Sequence, residues 1–365
     1  MEFLQVQYAE KLRRYLESKF NTIHIISFEE SVFPEIEQDI CLVYLTNKIN
    51  FLPYILYEVY SDSKEKLIVS RNIIQKNKPL QKWSNAILTD EDIFLLKNLS
   101  LDHTNVEKIG ITAPGIVTGG NKYFILTDEQ VRKFRCKKLV LPILQKSSFI
   151  IDSMISIDEE IFEKIKKRNK PVYLLNLAKV RQKDLPVGLK EYLEWAGEQK
   201  IQGTELKKRY KCANRIPWYG VPIEAKGDII FFKRYDILPR LYINEMNIHT
   251  TDAGYHIRLK EEYDKNSVVF CFYNSMTLAQ CEFYGRYYGG GVRELVPSEF
   301  KKIAIPYRKI EEGDVARLKE LFQKKASALE IVSFVNSKTL RLEISEEIIS
   351  KLEKIRIQLI RQRKK

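Results

Sequence analysis

Three short stretches of this chain concentrate the side chains that hold phosphates and present flat faces to bases. In Gly110 to Lys122, four of the fifteen glycines fall beside Thr118, Asn121 and Lys122. In Lys207 to Tyr219, the cations Lys207, Lys208, Arg209, Lys211 and Arg215 interleave with Tyr210, Trp218 and Tyr219. In Gly285 to Arg293, four more glycines (Gly285, Gly289, Gly290, Gly291) stand among Arg286, Tyr287, Tyr288 and Arg293. Glycine lets the backbone take φ > 0 and approach another surface closely. Lys and Arg neutralise phosphate, hydroxyl and amide groups donate to it, and aromatic planes stack on or wedge between bases. The competing reading of the same residues is two tight turns, with Trp218 and Tyr219 in a core and solvated cations around them.

Other chemistries find no foothold. His24, His103, His249 and His256 form no His-x-x-x-His pair and have no cysteine pair nearby, so no metal site is predicted. His24 lies in an apolar run and is expected to be satisfied inside a strand. A Gly-x-Ser-x-Gly elbow, a Walker loop and a Gly-x-Gly-x-x-Gly turn are all missing. The Glu-x-Lys tripeptide of many metal-dependent nucleases starts at Glu198, Glu205, Glu224 and Glu299, but a chain rich in both residues produces several by chance. No catalytic centre is expected.

The elements that must position these stretches sit in a chain of 365 residues, 44% hydrophobic and 30% charged, with 18 Phe and 20 Tyr. That composition is globular and long enough for more than one core. Lys and Arg exceed Asp and Glu by 13, which points to a polyanionic partner. The excess is local: residues 1–50 carry −3, residues 200–240 carry +6 and residues 351–365 carry +6. The basic tail is either a phosphate-binding end or a frayed, solubilising helix. The longest uncharged run, Asn266 to Cys281, is too short and polar to span a bilayer, and the opening Met-Glu-Phe-Leu-Gln lacks the basic start and small-residue cleavage site of a signal peptide. Five scattered cysteines without a Cys-x-x-Cys pair read as reduced thiols, so a cytoplasmic location is expected and a membrane is not.

Leu4, Tyr8, Leu12, Leu16 and Phe20 predict one helix with an apolar stripe beside Lys11, Arg13, Arg14 and Lys19. Ile23 to Phe28 and Ile40 to Leu45 predict two strands around a loop with Pro34; a helix and a strand pair cannot close a core alone. Strands are also predicted at Tyr54 to Tyr60, Lys66 to Ser70, Tyr123 to Leu126, Asp228 to Phe232, Tyr255 to Leu259 and Val268 to Tyr273. Helices are predicted at Ile161 to Lys167, Leu189 to Glu198, Asp314 to Lys324 and Ser345 to Gln362. Short strands and helices without a βαβ rhythm predict an α+β fold.

With these residues in view, a family resemblance emerges. Phe3 to Leu16 resembles the segment that follows the catalytic strands of N6-adenine-specific DNA methyltransferases of the Taq-type and type IIG restriction–modification group, and Val32-Phe-Pro34 before an apolar strand continues it. Gly115 to Phe124 is similar to the Gly-x-x-Thr-Gly-x-Asn-x-x-Phe signature that opens the family's target-recognition domain. Arg215-Ile-Pro-Trp-Tyr219 and Tyr288 to Pro297, ending at Ile305-Pro306, resemble its later landmarks, in the family's order over roughly residues 1–310. The Asn/Asp-Pro-Pro-Tyr/Phe tetrad is absent, since no two of the twelve prolines are adjacent, and the S-adenosylmethionine glycine motif is absent too.

The resemblance implies an α+β protein in three parts: residues 1–50 as the terminal helix and β-hairpin edge of a Rossmann-like methyltransferase domain, 51–310 as the DNA target-recognition domain, and 311–365 as a helical segment with a basic tail. It implies double-stranded DNA as partner, contacted by Thr118, Gly119, Gly120, Asn121 and Lys122 and by Tyr287, Tyr288, Gly289, Gly290 and Gly291. Lys211 and Arg215 are implied phosphate or guanine contacts, and Trp218 and Tyr219 either stack or buttress the loop. The chain itself is expected to bind no cofactor and to be catalytically inactive. S-adenosyl-L-methionine and target-base flipping are expected of the complete methyltransferase, with its catalytic domain or subunit as a second partner. A metal-dependent DNA nuclease and a non-catalytic remnant of a disrupted methyltransferase gene are the alternatives.

Overall fold

A computed structural model describes residues 2–28, 35, 40–47, 54–60, 68–75, 82–150, 155–287 and 291–364. Val32-Phe-Pro34 and Tyr288, Gly289 and Gly290 lie outside the described residues.

Helix α1 (Glu10–Lys19) forms where predicted but is rotated relative to its apolar stripe. Tyr8 and Leu12 are exposed, whereas Arg13 is buried and donates to the carbonyls of Phe3 (2.8 Å) and Val6 (3.0 Å). The carbonyls left over by the short turns before the helix need a donor, and a guanidinium supplies several at once. Strands β1 (Thr22–Phe28), β2 (Cys41–Thr46), β3 (Tyr54–Tyr60) and β4 (Ile68–Gln75) make one sheet in the order β2-β1-β3-β4. Only β1 and β3 run parallel. The sheet therefore draws strands from both sides of position 50. Ile23 and Ile25 alternate into the core, and His24 between them pairs with Glu58 of β3.

After α2 (Asp90–Leu99), capped by Thr89, comes β5 (Gly110–Pro114). Next are β6 (Val140–Leu144), α3 (Glu159–Lys167), β7 (Tyr173–Leu175) and α4 (Val187–Glu198). Strands β8 (Ile229–Phe232), β9 (Leu241–Ile243) and β10 (Gly254–Leu259) join β5 in an antiparallel sheet ordered β9-β8-β10-β5. Strand β8 is apolar at all four positions because both its faces are covered. Ile229 and Phe231 pack toward the helical side, while Ile230 and Phe232 pack against Ile161, Phe162 and Ile165 of α3.

Two helices follow, α5 (Lys265–Phe272) and α6 (Ser275–Tyr284). The strand expected at Val268 to Tyr273 is thus helical instead. A run buried on every side shows neither period 2 nor period 3.6, and Asp264 settles the matter by capping the Ser267 amide at 2.8 Å. At Tyr123 to Leu126 a single helical turn (Asn121–Phe124) precedes only two strand residues.

The chain ends in α7 (Glu312–Gln323), α8 (Ala328–Lys338) and α9 (Glu346–Arg363). The basic end of α9 is helical through Arg363 rather than frayed. Ile355 and Leu359 join Ile23, Ile25, Tyr57 and Trp83 in one core, so the last helix clasps the first sheet. Its cations are largely matched inside the chain: Lys351 by Glu91, Arg356 by Glu353, Arg363 by Glu282 and Lys364 by Asp236. Among the described residues, no helix is long and apolar enough to cross a membrane. All five cysteines are free thiols.

Candidate nucleic-acid interface

The first glycine turn is an extension of β5. Gly115 donates to Gly254 (3.0 Å) and Ile116 to Thr250 (2.8 Å), so the backbone runs tight against the 250–254 segment. A Cβ at Gly115 would lie 2.2 Å from the Thr251 carbonyl oxygen, which makes glycine obligatory there. Gly119 takes φ +84°, and the Gly120 amide donates to the buried Thr118 hydroxyl at 3.0 Å, while that hydroxyl donates to the Asn121 carboxamide.

The second basic stretch locks this turn from across the chain. The Arg215 guanidinium donates to the carbonyls of Thr118 (2.7 Å) and Val117 (2.8 Å). A Cβ built on Gly119 would sit 3.0 Å from Cβ of Lys211. Trp218 wedges between Gly197 of α4 and the ring of Phe124, 6.0 Å away between centroids, and Tyr219 is buried beneath it. Of the two roles open to these aromatics, the geometry favours the buttress. Lys122 and Lys211 stay exposed, and Asn121, Gly119, Gly120 and Arg215 are half-buried around them. Thr118 to Lys122 and Lys211 to Tyr219 are therefore one site.

The second glycine turn sits elsewhere, where α6 and α9 meet. Arg286–Tyr287 pairs with Arg293–Glu294, which pairs in turn with Arg234–Tyr235. Tyr287 is buried, its amide donating to Gln5 at 2.9 Å. Arg293 and Arg363 both reach the buried carboxylate of Glu282 (2.8 and 2.9 Å). Arg286 and Lys82 share Glu299 (2.9 and 3.1 Å). Burial pushes Lys82 down to about 8 in spite of that carboxylate. The sequence presented Arg286 and Arg293 as phosphate ligands; both are instead committed to internal carboxylates. The residues that hold this turn, Gln5, Lys82, Glu282, Glu299 and Arg363, were invisible in its own stretch, because Gln5 and Tyr287 lie 282 positions apart. Gly291, at φ +70°, packs so closely that a Cβ would lie 2.6 Å from the Arg363 carbonyl oxygen.

Neither Gly115 nor Gly291 leaves room for a Cβ, since carbonyl oxygens already fill that space. Nor do the Glu-x-Lys carboxylates gather: Glu205 pairs with Lys208 and Glu299 with Lys82. Among the described residues, no three His, Cys, Asp or Glu side chains are grouped to hold a metal ion.

This α+β chain with open sheets is similar in fold to part of solved restriction–modification enzymes. BpuSI, a type IIG restriction endonuclease, superposes with a TM-score of 0.52 at 14% identity, covering 99% of this chain and 46% of its own. The type IIL restriction–modification enzyme MmeI, solved in complex with DNA, gives 0.53 at 12% identity, with 99% and 48% covered. Residues 80–340 match the family described as type II methyltransferase M.Eco57I, C-terminal domain, and the chain belongs to that family. Type II methyltransferase M.AccI of Acinetobacter calcoaceticus is 24% identical over 324 residues, 82% of this chain and 56% of that protein. The chain thus spans about half the length of these relatives.

Proposed function

We propose that this chain is the sequence-specific DNA-recognition part of a restriction–modification N6-adenine methyltransferase and transfers no methyl group by itself. The observation that carries this reading is the span of the family match, residues 80–340, which takes in both glycine turns and the basic 200–240 segment that braces the first. The fold shared with MmeI, described in complex with DNA, supports duplex DNA as the partner. Lys122 and Lys211 flank a turn whose backbone is pinned by Arg215, so two exposed cations are presented at a fixed spacing. Phosphate contacts of this kind position a protein on a duplex, and half-buried Asn121 beside them is placed to meet a base edge.

S-adenosylmethionine and the methyl transfer belong, in this reading, to a catalytic domain or subunit. The exposed apolar side chains of α1, the turn before it and β2 (Tyr8, Leu12, Tyr15, Leu42 and Tyr44) are the face we assign to that partner. Two measurements test the proposal. Calorimetry of the chain with S-adenosylmethionine is expected to give no heat of binding, and micromolar affinity would contradict it. The Lys122→Ala/Lys211→Ala variant is expected to lose roughly tenfold or more in duplex affinity at low salt, as two phosphate contacts disappear. Unchanged affinity would place the DNA face elsewhere.

A further inference from the structure

The two glycine turns belong to different cores, yet a trough runs between them. It consists of two cavities of about 430 and 370 Å³ that share Ser147, Phe232 and Arg234. The first begins at Asn121, beside the first turn, and the second ends at Tyr235 and Asp236. Tyr235 belongs to the ladder that carries Arg293 and Tyr287, and the Asp236 carbonyl accepts from Arg363, which holds Gly291.

The trough is lined by Lys146, Lys233, Arg234 and Arg240 against Asp236 and Asp252. The buried Glu294 pairs with Arg234 at 2.8 Å and is approached by Lys233 at 3.8 Å, the Arg234 side chain remaining largely exposed. Asp236 is already matched by Lys364. Behind the Ser147 to Phe149 wall stand two further cations, Arg168 donating to the Phe149 carbonyl and Lys170 with its ammonium 5.7 Å from the Phe149 ring centroid. Gln145, Ser147 and Ser148 add neutral donors. Open cavities in series, with cations along both walls and amide and hydroxyl groups between, suit a repeating anion better than a single enclosed one.

We infer that this trough is a track for the phosphates of one strand of duplex DNA, with Lys146, Lys233, Arg234 and Arg240 as its neutralising cations. The inference rests on the DNA-recognition reading above and adds a surface to it. Half of the basic 200–240 segment braces and flanks the first turn; Lys233, Arg234 and Arg240 line the route from it to the second.

The test is fluorescence anisotropy of a labelled duplex titrated with the full chain across a salt series. Each phosphate contact contributes about 0.9 to the slope of log affinity against log salt. The Lys146→Ala/Arg234→Ala/Arg240→Ala variant is expected to reduce that slope by roughly 2 to 3 and to weaken low-salt binding at least about tenfold, equally for duplexes of unrelated sequence. Lys146→Glu, a single change at an exposed position, is expected to shift both in the same direction without risk to folding. Arg317→Ala/Lys324→Ala, on α7 and just after its end and outside the trough, is expected to leave both unchanged. Duplex binding with an unaltered slope in the trough variants overturns the track and leaves the recognition reading standing. A wild-type chain that binds no duplex overturns both.

Discussion

In the proposed reading Arg215 serves binding by holding the first turn in shape. Its two hydrogen bonds go to backbone carbonyls of the first turn. Arg215→Ala is therefore expected to weaken duplex binding while raising hydrogen exchange at Gly119, Gly120 and Asn121. Lys122→Ala should weaken binding with exchange unchanged. Equal exchange in the two variants would remove the bracing role. A second prediction concerns His249 and His256, buried side by side with ring centroids 6.5 Å apart. Burial holds both at about 4, below the ordinary histidine value, with Lys226 adding to the effect. Above pH 6.5 both are neutral folded or unfolded and contribute nothing. As pH falls from 6.5 toward 4, the unfolded chain takes up protons that the folded chain refuses, and stability drops by up to about 1.4 kcal/mol per pH unit for each histidine. Urea melts at pH 7 and pH 5 measure this drop, and His249→Asn is expected to shrink it. An identical pH dependence in wild type and variant would contradict the assignment. The sequence singled out the first turn as a candidate but did not show that Arg215 faces it, because its partners are carbonyls nearly a hundred positions away.

At the scale of elements, period and capping made α3, α4, α7 and α9 legible, with boundaries displaced by at most two residues. Helix α5 was not legible, since burial on all sides erases the pattern that distinguishes helix from strand. The rotation of α1 was hidden for the opposite reason. An apolar stripe marks what prefers to be buried, but the carbonyls of Phe3 and Val6 recruited Arg13 instead. Charge along α9 gave no sign of its pairing either, because Glu91, Asp236 and Glu282 come from distant elements. That pairing has a measurable consequence. Arg363→Ala leaves Glu282 buried with one of its two arginine partners gone, and is expected to cost about 3 kcal/mol or more in denaturant unfolding. A loss below about 1 kcal/mol would mean that α9 does not hold the second turn through this residue.

At the scale of the whole molecule, the sheet of β1 to β4 and helix α9 come from opposite ends of the chain and share one core with α6. The family segment, residues 80–340, is thus gripped by flanking elements from both sides. The excess of 13 positive charges resolves into cations spent on internal carboxylates, at Arg286, Arg293 and Arg363, and cations left at the surface, at Lys122, Lys211 and Lys146. The surface set is what a recognition module needs, and its signature is thermodynamic. The most direct measurement is the affinity of the full chain for a labelled duplex at 50 and 200 mM salt. Each phosphate contact multiplies the fall in affinity between those conditions, so four or more contacts predict roughly a hundredfold loss. An affinity that barely changes with salt, or no binding at 50 mM, would contradict the assignment of this chain as a DNA-recognition module.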